Sequence, residues 1–446
     1  MKSPFLKTYL ALAVLAALGG WVWWSGQKKD DTPAGQKPRV FAFDKAKVKE
    51  IRLEPWTAEA VVVSKAASGW QLGGAAPAPA AASEVDGLIA SLEGLEAGDT
   101  VSEAPTDLKQ YGLDPARLKA TLVLEDQVKP LVLLVGAKSF DSASVYAQRA
   151  GERKVFVIPA FLAGGLEKKP FDLRDRDLLH LERDKVKKVE VTGPEGAFTL
   201  EKQGQDWALA QPLRTPAGRW PVDGLLGTLE GLRMESVAAE EAGDLKPFGL
   251  DKPARTVKLT LEDGSARQLE IGSSPAPQKF HAREALSKLV AVIPGALVDD
   301  LAKGWASLRA RRLLDVSNYD VTGLEGKLDG TAVKFERRTE KSSDGFDAYK
   351  WKKDGKELDP PKMDDALYKL TGLEAQSFVD QPGAAADYGL DAPVLELKVS
   401  QAERPAVTLT IGKKGDTAYA RRSGDDALLQ LEAAKVDEAV KALKGL

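Results

Sequence analysis

The side chains best placed to bind something are two groups of arginines. Arg174 and Arg176 stand in the run Leu173-Arg174-Asp175-Arg176-Asp177-Leu178-Leu179, and Arg309, Arg311 and Arg312 stand in a similar stretch that also leads into Leu-Leu. In extended backbone, alternate residues share a face. Each group could therefore offer a guanidinium fork to a carboxylate or phosphate. The reading adopted is that they pair with neighbouring aspartates and lock adjacent parts of the chain, which makes them possible interface residues. A second candidate is Gly136-Ala137-Lys138-Ser139 after an apolar run. It resembles the end of a phosphate-binding loop, but such a loop needs a glycine well upstream of its Gly-Lys pair, where Leu131 to Val135 stand. The chain has only two histidines, His180 and His281, neither beside another ligand type. A histidine-based zinc site is not expected. There is no Gly-x-Ser-x-Gly elbow and no His-Glu-x-x-His. Carboxylates are plentiful, yet none is marked as an acid/base pair. No catalytic residue, cofactor or metal ligand is assigned.

The elements that must position these residues come in threes. Tyr111-Gly112-Leu113-Asp114 returns as Phe248-Gly249-Leu250-Asp251 and as Tyr388-Gly389-Leu390-Asp391, spaced by 137 and then 140 residues. Trp70, Trp207 and Trp351 keep a similar spacing, as do Val135-Gly136, Ile271-Gly272 and Ile411-Gly412. Val157-Ile158-Pro159 answers Val292-Ile293-Pro294, whereas the third copy has no clear equivalent. A period this long is the size of a whole domain, not of a solenoid unit. The repeats also act as an internal control. Framework must recur, whereas chemistry placed once need not. The counterparts of Gly136-Ala137-Lys138 are Gly272-Ser273-Ser274 and Gly412-Lys413-Lys414, which marks that motif as a hairpin turn. The aromatic-Gly-Leu-Asp motif reads as a structural turn: glycine at positive φ, aspartate in an Asx-turn, and the aromatic plugging the core beneath.

Within each copy, short alternating runs such as Ile51-Arg52-Leu53 and Val189-Glu190-Val191 read as strands. Helices begin near Val85, Val222 and Met363, where leucines recur at i, i+3 and i+4. In the first copy further strands are expected at Thr121 to Leu124, Leu131 to Val135, Val145 to Gln148 and Lys154 to Ile158, then a short helix near Phe161 to Lys168. The fold class is α+β, three tandem modules of antiparallel sheet with segregated helices. The expected bounds are a transmembrane anchor at 1–25, a tether at 26–40, and modules at 41–180, 181–315 and 316–446.

Composition is that of a globular protein, with 43% hydrophobic and 29% charged residues. The net charge of -3 gives no overall basic field for nucleic acid. The absence of cysteine removes disulfides and thiolate metal sites. From Thr8 to Ser25 no residue is charged, and Trp21, Trp23 and Trp24 close the run. About 18 residues at 1.5 Å span roughly 27 Å, near the hydrocarbon thickness of a bilayer. Tryptophans suit its interface. An uncleaved single-pass anchor is expected, with the N-terminus inside and the body outside the cytoplasmic membrane. A cleaved signal peptide is the competing reading, since Ala17 and Gly19 offer small residues at cleavage spacing.

The anchor, the repeated aromatic-Gly-Leu-Asp turn, the Trp before a Pro-containing loop, and the run Leu173 to Leu179 resemble the bacterial domain-of-unknown-function 4340 family. The likeness extends from about Phe41 onward. It implies membrane anchoring, no established activity, and genes often placed beside ABC-2 type permeases and gliding-motility-type auxiliary proteins. On this reading the chain is a non-catalytic scaffold whose partners are the membrane and an ABC-type envelope complex. The alternative is an envelope carboxylate-dependent hydrolase or carbohydrate-binding protein.

Overall fold

A computed structural model describes residues 38–446 apart from Ala75, Ala76, Asp141 and residues 342–346. The expected anchor and nearly all of the expected tether lie outside the described residues. Among those described, no helix is long and apolar enough to cross a membrane.

The chain builds three antiparallel sheets of nine strands, all with one strand order. In the first repeat the strands are β1 Val48–Pro55, β2 Val61–Ala66, β3 Gly69–Leu72, β4 Ala78–Pro79, β5 Thr100–Ser102, β6 Leu118–Leu124, β7 Leu131–Lys138, β8 Ser144–Arg149 and β9 Val155–Pro159. They lie in the order β4-β3-β2-β1-β6-β7-β8-β9-β5. The central ladder joins β1 to β6, with Ile51 opposite Leu122 and Leu53 opposite Ala120. The same ladder joins Val186–Thr192 to Arg255–Leu261 and Val321–Leu328 to Leu395–Gln401. Side chains alternate between faces along a strand. Ile51, Leu53, Leu133, Val135, Val145 and Ala147 therefore share one buried face. In the second repeat the alternate positions carry Lys188, Glu190, Glu201 and Lys258, paired with one another at the surface.

Helix α1 (Ala82–Glu93) covers the apolar face through Val85, Leu88, Ile89 and Leu92, the i, i+3, i+4, i+7 stripe of an amphipathic helix. Twelve residues are marginal as an isolated helix. Burial of four apolar side chains, each worth about 1.5–3 kcal/mol, holds it. Arg219–Glu230 and Pro360–Thr371 repeat the arrangement. The expected helix near Phe161 to Lys168 is instead two short pieces, Ala160–Gly164 and Pro170–Leu173. The first piece ends at the Gly164-Gly165 pair, where helix propensity is poor, and Pro170 occupies the first turn of the second. The third repeat completes its sheet with Leu428–Glu432 where the Val-Ile-Pro strand is missing. By compactness the chain separates into two units. The first ends at Arg176 and holds one sheet, and the second begins at Asp177 and holds two.

The strand order demands two long crossings per repeat. α1 carries the chain from β4 at one edge to β5 at the other, over the apolar face. The return from β5 to the central β6 must pass β9, β8 and β7, and it does so over the opposite face. The repeated motif lies on that return.

Candidate functional site

In each repeat the return crossing is seated by the aromatic-Gly-Leu-Asp turn. Short 3-10 turns at Lys109–Tyr111, Lys246–Phe248 and Ala385–Tyr388 end at Gly112, Gly249 and Gly389, with φ of 63°, 66° and 68°. A residue with a Cβ pays about 1–2 kcal/mol in that left-handed region. The turn then lies directly on the second repeated glycine. A Cβ on Gly272 would collide with the Phe248 carbonyl oxygen and stand 3.0 Å from the Gly249 carbonyl carbon; a Cβ on Gly249 would stand 2.8 Å from the Ser273 nitrogen. The Ser273 N–H donates to the Phe248 carbonyl at 2.8 Å. Gly136 and Gly412 meet Tyr111 and Gly389 in the same way. The hairpin-turn reading of these glycines is therefore corrected. Gly136 and Gly412 lie inside strands Leu131–Lys138 and Val407–Lys414, and Gly272 follows Ala266–Ile271. They are bare because another backbone rests on them.

The motif's other residues also divide their roles differently from the expectation. The buried plug is the leucine: Leu113, Leu250 and Leu390 are 4%, 2% and 9% exposed. The half-buried aromatics meet a second ring on the neighbouring strand edge-on, Tyr111 with Tyr146, Phe248 with His281 and Tyr388 with Tyr419, at 5.0–5.1 Å. His281 is thus the second repeat's counterpart of a tyrosine. Its Nδ1 lies 3.1 Å from the Ser273 hydroxyl, and burial lowers its pKa below the ordinary value. Asp114, Asp251 and Asp391 are exposed and accept no hydrogen bond among the described residues. The Asx bonds come from earlier aspartates, Asp107 to the Lys109 N–H at 2.9 Å and Asp244 to the Lys246 N–H at 3.0 Å. Their place four residues before the aromatic was visible in two copies only.

The arginine-bearing connectors pair with other segments through isolated β-bridges. In the first unit Ala80 pairs with Arg174, whose neighbour Asp175 donates its N–H to the Pro79 carbonyl; Arg176 lies exposed. In the second unit Ala217 pairs with Arg309, after which Leu313 and Arg311 bond Leu373 and Ala375. This connector therefore joins the second sheet to the third repeat. The Arg309 side chain is 2% exposed and donates to Asp380 at 2.6 Å. Its guanidinium carbon sits 3.7 Å from the Phe378 ring centroid and 5.3 Å from that of Trp305. Arg311 donates to the carbonyls of Ala375 and Gln376, and Arg312 pairs with Glu374.

Two further arginines at this junction escaped the sequence reading. Arg422 donates to Asp425 and to the carbonyls of Ala310 and Arg312. Burial lowers its pKa, opposed by Asp425, whose side chain is wholly buried. Arg404 pairs with Asp206 at 3.2 Å and bonds the Asp315 carbonyl. Strand alternation was the available signal, because Arg422 shares a face with buried Ala418 and Ala420.

Between these groups lies a cavity of about 250 Å³, shared by the second and third repeats. Trp207, Pro216, Leu313 and Val407 give it apolar walls, and Arg214, Arg404 and the Asp206 carboxylate stand at its polar side. Arg214 is exposed and makes no ion pair among the described residues. A second cavity, about 340 Å³, lies between the helices Arg219–Glu230 and Ala296–Ala302. There the Asp300 carboxylate accepts from Thr228 and Lys303. Among the described residues no group of three His, Asp or Glu is arranged to hold a metal.

The family model described as Domain of unknown function (DUF4340) matches residues 70–217, 207–393 and 379–445. The chain belongs to this family. The matches are offset from the sheets: the first runs from β3 of one repeat to the edge of the next. No curated protein and no solved structure matches the chain.

Proposed function

We propose that this chain is a non-catalytic binding scaffold of the cell envelope, held to the cytoplasmic membrane by residues 1–25 with its body outside. We further propose that it is accessory to an ABC-type export or gliding-motility-like complex. The membrane part is supported by the uncharged run from Thr8 to Ser25. The transporter part is supported by the family resemblance. The binding role is supported by one observation, the junction of the second and third repeats. There the charged groups of Arg309, Arg404 and Arg422 are engaged in fixing one repeat to the next, and this leaves a preformed cavity beside Arg214, which makes no ion pair among the described residues. A space of about 250 Å³ with aromatic and aliphatic walls suits one large apolar side chain. Arg214 suits a carboxylate next to it. The occupant is an extended segment of an envelope protein carrying an apolar residue beside an acidic one.

The test uses the full chain in native membranes with a photo-crosslinking residue at Pro405, and a second variant carrying it at Leu286, exposed in a hairpin turn outside the cavity lining, as a control. An adduct with one envelope protein, formed from Pro405 and lost on Arg214→Glu, supports the reading. Equal labelling from both positions, or labelling indifferent to Arg214→Glu, overturns it.

A further inference from the structure

The repeats reveal what is special to one copy. In the first, Phe140 is fully exposed and Phe161 is 78% exposed. Both project from one end of the sheet. Phe140 lies in the turn joining β7 to β8, which is closed by hydrogen bonds between Ser139 and Ser144. Phe161 is the second residue of the helix Ala160–Gly164, and the Ala160 N–H donates to the Ala143 carbonyl of that same turn at 2.9 Å. The turn and the helix start are thus tied together, with a phenyl ring held out from each. At the position of Phe161 the second repeat has Ala296 and the third Ala434, following Pro294-Gly295 and Glu432-Ala433. The other repeats join the corresponding strands through Ser274-Pro275-Ala276 and Lys414-Gly415-Asp416, with no aromatic residue. The framework does not require these rings. Lys138, exposed at the end of β7, makes no ion pair among the described residues.

We infer that Phe140 and Phe161 are a lipid-contact site, inserting into the interface of the membrane with Lys138 beside anionic headgroups. This rests on the anchored reading above. The sequence supplies the reason for choosing lipid as the occupant: of the three repeats, this one directly follows the uncharged run, through a polar stretch of about a dozen residues. A stretch of that length reaches at most about 40 Å even when fully extended. The first repeat is therefore confined near the bilayer at high effective concentration, where even a small apolar patch partitions. Exposed phenyl rings with a neighbouring cation fit the headgroup boundary.

The chain contains no cysteine, so single labels are available. The full chain is reconstituted in phosphatidylcholine/phosphatidylglycerol vesicles with an environment-sensitive dye at Phe140→Cys, Phe161→Cys or, as control, Val128→Cys. Val128 is fully exposed in the turn joining β6 to β7, at the other end of the same sheet. The expected result is a blue shift and quenching by spin-labelled lipid at positions 140 and 161, and neither at 128. Water-like emission at 140 and 161 while the chain floats with the vesicles overturns this inference and leaves the anchor standing. A blue shift without lipid quenching overturns it in favour of a second copy covering the patch. A chain that does not float with the vesicles overturns the anchored reading and this inference with it.

Discussion

Replacing Gly272 with alanine adds one methyl group at a position whose own φ is ordinary, so backbone strain does not enter. The effect comes entirely from the turn above it. The new Cβ would collide with the Phe248 carbonyl oxygen and press on the Gly249 backbone, so no flexible side chain can yield. Either the strand sinks or the turn lifts. Overpacking of this kind costs about 1–3 kcal/mol. If the turn lifts, Leu250 loses part of the burial that leaves it 2% exposed, out of about 1.5–3 kcal/mol for a full leucine. The expected loss is about 2–4 kcal/mol. The control is Gly224→Ala, in the helix Arg219–Glu230 with nothing within 4 Å of its Cβ. It should stabilise by about 0.5–1 kcal/mol, since alanine is the better helix former. Urea unfolding followed by tryptophan fluorescence gives the two free energies. Amide exchange should place the Gly272→Ala loss in the turn and in the strand beneath it. If Gly272→Ala is as stable as the native chain, the close approach does not seat the crossing and the account of the motif fails.

Arg422→Met should cost about 3–5 kcal/mol, because it strands the buried Asp425 carboxylate. Arg309→Met should cost much less, since Asp380 is half exposed and two Arg309 nitrogens have no hydrogen-bond partner among the described residues; equal losses in urea unfolding would refute this ranking. A chain from Asp177 to Leu446 should be more stable than one ending at Leu314, which loses Asp380, Arg404 and Arg422. Amide exchange of the second sheet reads the difference, and equal protection in both would show that the junction adds nothing. His281 has its pKa lowered by burial, so its neutral form is favoured when folded. Its contribution is present above an unfolded pKa of about 6.5 and is lost as pH falls through the lowered folded value. His281→Tyr, the residue type at the other two sites, should flatten the melting temperature against pH in that window; an unchanged profile would exclude His281 as its source. Protease added to spheroplasts should remove the body from intact membranes, and full protection would reverse the proposed orientation.

Local chemistry was legible in the sequence. Alternating Ile51-Arg52-Leu53 gave a strand, the leucine spacing after Val85 gave a helix, and Gly112, Gly249 and Gly389 gave a left-handed turn. Each depends on neighbours within a few residues. The strand order is non-local: nothing near Thr100 says that it pairs with Phe156 at the far edge of the sheet. Arg422 was missed for the same reason. Its partners Ala310 and Arg312 lie over a hundred residues upstream, so alternation with Ala418 and Ala420 marks Arg422 as inward-facing without naming what it meets.

The two glycine motifs show how close the sequence came. Gly112 and Gly136 are 24 residues apart, while Gly249 and Gly272, and Gly389 and Gly412, are each 23 apart. Each motif taken alone is explained by a turn, and a turn explanation needs nothing from the other. Near-constant separation in three copies is what a contact between them would require, because a one-residue slip of the strand would place a side chain under the turn. The same logic separates framework from function. Tyr146, His281 and Tyr419 differ chemically yet fill one role, the edge-on partner of the motif's aromatic. Phe140, Phe161 and Arg214 have no such counterparts. Residues that the repeated framework does not explain are the ones whose substitution should leave folding intact and alter what the protein touches.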